Sequence, residues 1–138
     1  MVTNSVIWGN GPAEVLATGP IQPIVAYSDV AGGWLGLTNA NADPLFVMPG
    51  YWANPIDLAK ALAPSDPMAV RVHGDYHLMS KAGRWDPVTK TWVKDAVTSP
   101  CIDAGDPVLP VLAEPIPNGS RVNMGAYGGT RQASLSGK

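Results

Sequence analysis

Apolar residues in this chain come in short bursts, separated by glycine, proline and small polar residues. Asn4–Trp8 and Ile24–Ser28 read as two similar short strands, with Ile7 and Tyr27 spaced 20 residues apart. A third apolar run, Leu45-Phe-Val47, follows at a comparable interval. A period near this length suits a solenoid, in which each repeat buries its inner face only by stacking on its neighbours. Residues 1–47 are therefore read as repeat material, amounting to two or three coils.

Residues 48–70 break the rhythm. Pro49, Pro55, Pro64 and Pro67 punctuate them, and Pro55 stands just inside Asn54, where a helix could start. Leu58 and Leu62 would share a face at i, i+4, so the pattern predicts one short helix ending before Pro64. Residues 71–79 then alternate. A strand there would turn Val72, Gly74, Tyr76 and Leu78 inward and Arg71, His73, Asp75, His77 and Met79 outward. Gly83–Val93 reads as a hairpin turning near Asp86-Pro87 or Thr89-Lys90, with Trp85 and Trp92 paired across it. Beyond Thr98, Pro- and Gly-rich segments alternate with short strands up to a polar tail, Gln132–Lys138, expected to fray. The chain thus divides into terminal coils (1–47), a helical excursion (48–70) and a C-terminal cap region (71–138).

Composition supports short strands and turns over long helices. Of 138 residues 15 are Gly and 14 are Pro, and only 14% are charged. Hydrophobic residues make up 46%, too many for a disordered chain and enough for a real core. The net charge of −2, with Lys and Arg scattered, gives no electrostatic reason to expect nucleic acid or an anionic membrane. No apolar run reaches transmembrane length. The single cysteine, Cys101, excludes an intrachain disulfide and reads as a small buried hydrophobe.

Ser99-Pro-Cys-Ile-Asp-Ala-Gly-Asp-Pro107 and Val122-Asn-Met-Gly-Ala-Tyr-Gly-Gly129 are the most specific motifs. With Val2–Asn10, Ala26–Gly33, Asn41–Phe46 and Gly74–Leu78, they resemble the C-terminal end of secreted bacterial right-handed parallel β-helix proteins, a group that includes pectate-lyase-like enzymes. The resemblance implies an all-β fold, a parallel β-helix fragment of two or three coils with a Pro/Gly-rich cap and one short helix. It implies a secreted or cell-surface protein associated with carbohydrate. Met1-Val-Thr-Asn-Ser5 has no signal-peptide features, so the chain is expected to be a fragment or an internal start.

Three chemistries are open to this sequence. Five tryptophans are many for its length, and Trp34, Trp52 and Trp85 are candidates to stack on sugar rings of a polysaccharide. Asp75 and Asp103 are the carboxylates for a small glycoside hydrolase or polysaccharide lyase. His73, Asp75 and His77, at i, i+2 and i+4 of one strand, have the ligand types of a two-His, one-carboxylate metal site. No cofactor is demanded, though the acidic residues would admit calcium and the histidines a transition metal. Asp43, Asp86 and Asp106 precede proline and read as turn residues. Gly32-Gly33 and Gly128-Gly129 lack the Lys-Ser/Thr of a phosphate loop, and no Gly-x-Ser-x-Gly elbow is present. The favoured expectation is a structural and binding role, with self-association through an uncovered N-terminal coil edge.

Overall fold

The computed structural model describes residues 1–11 and 13–137. They form an all-β fold of short strands, with no helix among the described residues. None is therefore a helix long and apolar enough to cross a membrane.

At the N-terminus, β1 (Val2–Thr3) and β2 (Val6–Ile7) lie parallel to β3 (Val25–Ala26) and β4 (Asp29–Val30). Val2 pairs with Val25 and Val6 with Asp29, so the spacing is 23 residues (25 − 2 and 29 − 6), not the 20 expected from Ile7 and Tyr27. The corners between strands set this register. Asn4 and Tyr27, at φ 53° and 48°, make the same left-handed bend in successive rungs. A third rung follows, because Asp29 bridges Ala40 in parallel and Thr38 repeats the bend at φ 54°. Ser5 N–H donates to Ser28 Oγ (3.2 Å) and Ser28 N–H to Asn39 Oδ1 (3.1 Å), which ties the corners into a polar column. Only 11 residues (40 − 29) separate the second and third rungs. The short return is possible because Gly32 and Gly33 both adopt positive φ, which Cβ-bearing residues avoid.

The third apolar run is not a rung. β5 (Phe46–Met48) pairs antiparallel with β8 (Asp75–Leu78), and β6 (Tyr51–Ala53) with β7 (Val70–Val72). Residues 46–78 therefore form a long antiparallel arm. Its tip holds turns where a helix was expected. Asn54 Oδ1 accepts the Ile56 N–H (2.8 Å), Asp57 Oδ1 the Ala59 N–H (3.1 Å) and Asp66 Oδ1 the Met68 N–H (2.8 Å). Such local side-chain bonds offer the backbone an alternative to a helix ladder. Leu62 N–H meanwhile donates to Trp52 O (2.9 Å), drawing the chain back along β6. Leu58 is half exposed, so a helix would have had little apolar face to bury, and isolated short helices are marginal.

The hairpin of β9 (Arg84–Asp86) and β10 (Thr91–Val93) forms as expected, with Trp85 opposite Trp92. The core gathers Leu78, Cys101, Ile102 and Met124, with Val6 and Phe46 packed against it. Cap, arm and first rung thus share one interior. The cap also reaches the first rung directly, through Gly125 N–H to Asn4 O (2.8 Å) and Asp106 N–H to Asn4 Oδ1 (2.6 Å). The tail does not fray. Ala133, Ser134 and Ser136 are buried, and Ser134 Oγ donates to Leu78 O (2.6 Å) while Ser80 Oγ donates to Leu135 O (2.7 Å). Serine hydroxyls let this polar segment enter the interior with its hydrogen bonds made. Lys138 lies outside the described residues.

Candidate functional site

The antiparallel arm builds the most promising site. Register on the β6–β7 pair sets Trp52 across from Arg71, whose guanidinium carbon lies 5.7 Å from the indole centroid. Arg71 also donates to Gly9 O (3.4 Å), bringing in the chain that leaves β2 at Trp8. From β8, Tyr76 is held edge-on by Phe46, with centroids 5.4 Å apart. Trp8, Phe46, Trp52 and Tyr76 line a groove of about 460 Å³, with Asn10, Arg71 and His73 as its polar members. The wall at Trp8–Asn10 is held by one carboxylate. Glu14 accepts from Gly9 N–H (2.7 Å), Asn10 N–H (3.1 Å) and Asn10 Nδ2 (3.0 Å). Among the described residues, Arg71 has no carboxylate partner and no acidic side chain lines the groove. Aromatic walls with a few convergent polar groups and a free guanidinium are fit to hold a polar, ring-bearing ligand.

The expected two-His, one-carboxylate face does not assemble. Phe46 pairs with Leu78 and Met48 with Asp75, so two steps along β5 face three along β8. The extra residue is a bulge in β8, while Asp75 and His77 stay together on one side of the strand, where the cap covers them. His77 is instead fully buried, stacked on Tyr127 at 3.6 Å between centroids, with Nδ1 2.5 Å from Asp75 Oδ1. His73, beyond the end of β7, is exposed at the groove. No group of three or more His, Cys, Asp or Glu side chains among the described residues is arranged to hold a metal ion. Burial pushes the Tyr127 phenol upward, and the Asp75 carboxylate adds to that shift.

Asp103, the other candidate catalytic carboxylate, belongs to the cap. It is buried, its N–H donates to Asn123 Oδ1 (2.8 Å), and its Oδ2 accepts from Ser136 Oγ (2.5 Å). Asp75 is engaged with His77, so each carboxylate is spent on a different part of the interior. Asn123 is the hub of the cap. Its side chain also donates to Ser134 O (2.8 Å), and its N–H donates to Glu114 Oε1 (2.8 Å). Burial holds the Glu114 carboxyl above its ordinary value, against the pull of the Gly129 and Asn123 N–H groups, and Asp103 pushes the same way as burial. Cys101 is buried as expected. Its thiol donates to Asp29 Oδ2 (3.1 Å), and burial pushes its pKa far up, which makes it a poor nucleophile.

The three candidate tryptophans lie on three different features. Trp52 lines the groove. Trp34 donates its indole N–H to Pro23 O (3.2 Å) and lines a separate cleft of about 420 Å³ with Gln22 and Leu35. Trp85 packs against Trp92, centroids 5.7 Å apart, across the hairpin. Sequence reasoning missed Trp8, Asn10, Arg71 and Tyr76 as groove residues. The available signal was Arg71 and His73 sharing the outward face of one strand, but locating Trp52 opposite them required the antiparallel arm.

Comparison with known proteins places one limited similarity on this architecture. No curated protein and no solved structure matches the chain. Residues 57–105, about a third of the chain, match a family described as "Disaggregatase related", a stretch that runs from the arm tip through β7–β10 to the Cys101–Gly105 element.

Proposed function

We propose that this chain is a carbohydrate-binding terminal portion of an extracellular right-handed parallel β-helix protein, and that the Trp8/Trp52/Tyr76 groove is where polysaccharide binds. The carrying observation is the groove itself, aromatic on its walls and with a guanidinium that no carboxylate neutralises. Aromatic faces pack on the C–H faces of sugar rings, while Asn10, Arg71 and His73 offer hydrogen bonds to hydroxyl or acidic substituents. The three parallel rungs with repeated corners support the β-helix reading. Self-association through β1 and β2, each paired with a single strand among the described residues, is part of the same proposal.

The groove also favours a second reading. Hydrolysis by a carboxylate pair has no carboxylates there, but elimination needs a proton acceptor and a group that neutralises an acidic substituent. His73 or Tyr76 could serve as the acceptor, and Arg71 as the neutraliser. A panel of neutral and acidic polysaccharides, assayed by affinity electrophoresis and by the ultraviolet absorbance of unsaturated products, tests both. Retardation without absorbance supports binding alone, and retardation with absorbance supports elimination. Neither signal with any polymer contradicts the proposal.

A further inference from the structure

The cap carries a second feature, independent of the groove. Asn118-Gly119-Ser120 is a tight turn lying directly on the Asp103 carboxylate. Gly119 has φ 57°, and a Cβ there would collide with the Asp103 carboxyl, so both conformation and contact require glycine. Asn118 completes the turn by accepting the Ser120 N–H on Oδ1 (3.2 Å). Its amide nitrogen makes a long bond of 3.4 Å to Glu114 O. Gly119 itself is exposed. The fold therefore sets a required glycine after Asn118, where no side chain shields the Gly119 nitrogen from the preceding amide carbon.

We infer that Asn118 is a self-modifying site, and that its conversion to aspartate or isoaspartate frees the last turn of the C-terminal tail at Ser136. In the first step the Gly119 nitrogen bonds to Asn118 Cγ. The Cγ–Nδ2 bond breaks, and the nitrogen leaves as ammonia carrying the proton lost from Gly119. Water then opens the resulting cyclic imide at either carbonyl, giving aspartate or, with the chain rerouted through the side chain, isoaspartate. Hydrogen-bond donation to Oδ1 draws electrons from Cγ and favours the attack.

The location gives the reaction a consequence. The product puts a carboxylate on a turn whose glycine lies against Asp103 and whose Asn118 side chain reaches the Glu114 carbonyl, in a cluster where burial, with Asp103 adding to it, already holds Glu114 toward its neutral form. Isoaspartate also lengthens the backbone and moves Gly119 from its seat. The same turn anchors the tail, since Ser136 N–H donates to Pro117 O (2.7 Å) and Ser136 Oγ to Asp103. Lost at this end, the tail keeps its Ser134 and Leu135 bonds to the arm and hairpin, but its last turn opens.

Incubation of the folded protein at mildly alkaline pH, followed by peptide mapping, tests this directly. The expected result is an amide-to-acid mass shift at Asn118, with isoaspartate among the products. Ser136 is buried in fresh protein, so incubated protein is expected to lose its C-terminal residues through Ser136 to a carboxypeptidase faster than fresh protein does, while Asn118→Gln, which keeps an amide, retains both its mass and its C-terminus. An intact Asn118 amide, after a time in which the urea-unfolded chain has converted, would overturn the inference. So would converted protein whose C-terminus resists the carboxypeptidase as well as that of fresh protein.

Discussion

Two polar clusters in this molecule make opposite use of similar side chains. In the cap, Asn123, Glu114, Asp103, Ser134 and Ser136 are buried and direct their hydrogen bonds inward, onto backbone and one another. In the groove, Asn10, Arg71 and His73 stand beside aromatic walls at an open surface, Asn10 held by Glu14 and Arg71 by the Gly9 carbonyl. The difference separates support from function. A buried polar group costs free energy unless it is paired, so a cluster whose hydrogen bonds close on itself and the backbone marks a structural joint. A guanidinium stacked on an indole and paired with no carboxylate among the described residues marks a place prepared for something else.

Cutting the cap's hub should produce the largest effect. Asn123→Ala strips partners from Asp103 N–H and Ser134 O, and unsatisfied buried groups of this kind cost about 3 kcal/mol together. Urea denaturation should show that loss, while polysaccharide affinity of the folded fraction stays unchanged. A matching loss of affinity would erase the distinction between the clusters.

Arg71→Gln should act the other way round. It removes a charge-assisted contact and should weaken binding to acidic polysaccharides about tenfold, with little change for neutral ones. Isothermal titration calorimetry across both polymer classes reads the difference. A drop in stability with unaltered selectivity would move Arg71 into the structural group.

Glu114 sharpens the comparison through pH. Its folded-state pKa lies above the ordinary value of 4.5, so the native state holds the proton more tightly than the unfolded chain. The stability that this proton brings is fully present below the ordinary value and is lost as pH rises through the raised one. Stability measured across that window should fall with rising pH, and Glu114→Gln should flatten the decline. An unchanged slope in the variant would assign the pH dependence elsewhere.

The smallest effect is expected at the hairpin. Trp92→Ala removes one partner of an exposed cross-strand pair and should lower stability by about 1 kcal/mol by thermal melting. Polysaccharide binding should not change, since Trp85 and Trp92 stand apart from the groove.

What the sequence made legible was local. The Trp85–Trp92 hairpin followed from alternation and turn residues, and buried Cys101 from its apolar setting. Parallel repetition was visible too, but its spacing was misjudged. Apolar residues were matched by type, whereas the left-handed corners at Asn4 and Tyr27 set the register. The helix expected after Asn54 failed because each Asx side chain closes its own turn. The metal face failed because the cap lays Tyr127 over His77 and buries it against Asp75, while His73 stands apart at the groove. The groove was half legible. Trp52 stood out as an aromatic, but Trp8 and Arg71 reach it from segments far apart in sequence, and only the folded arm joins them.

The central claim is that the Trp8/Trp52/Tyr76 groove holds polysaccharide. Affinity electrophoresis of the wild-type protein and Trp52→Ala through gels containing acidic or neutral polysaccharide addresses it most directly. The account predicts that at least one polymer retards the wild-type protein and that Trp52→Ala, folded by circular dichroism, migrates as in a polymer-free gel. Equal retardation of both proteins, or none for the wild type in any polymer, would contradict it.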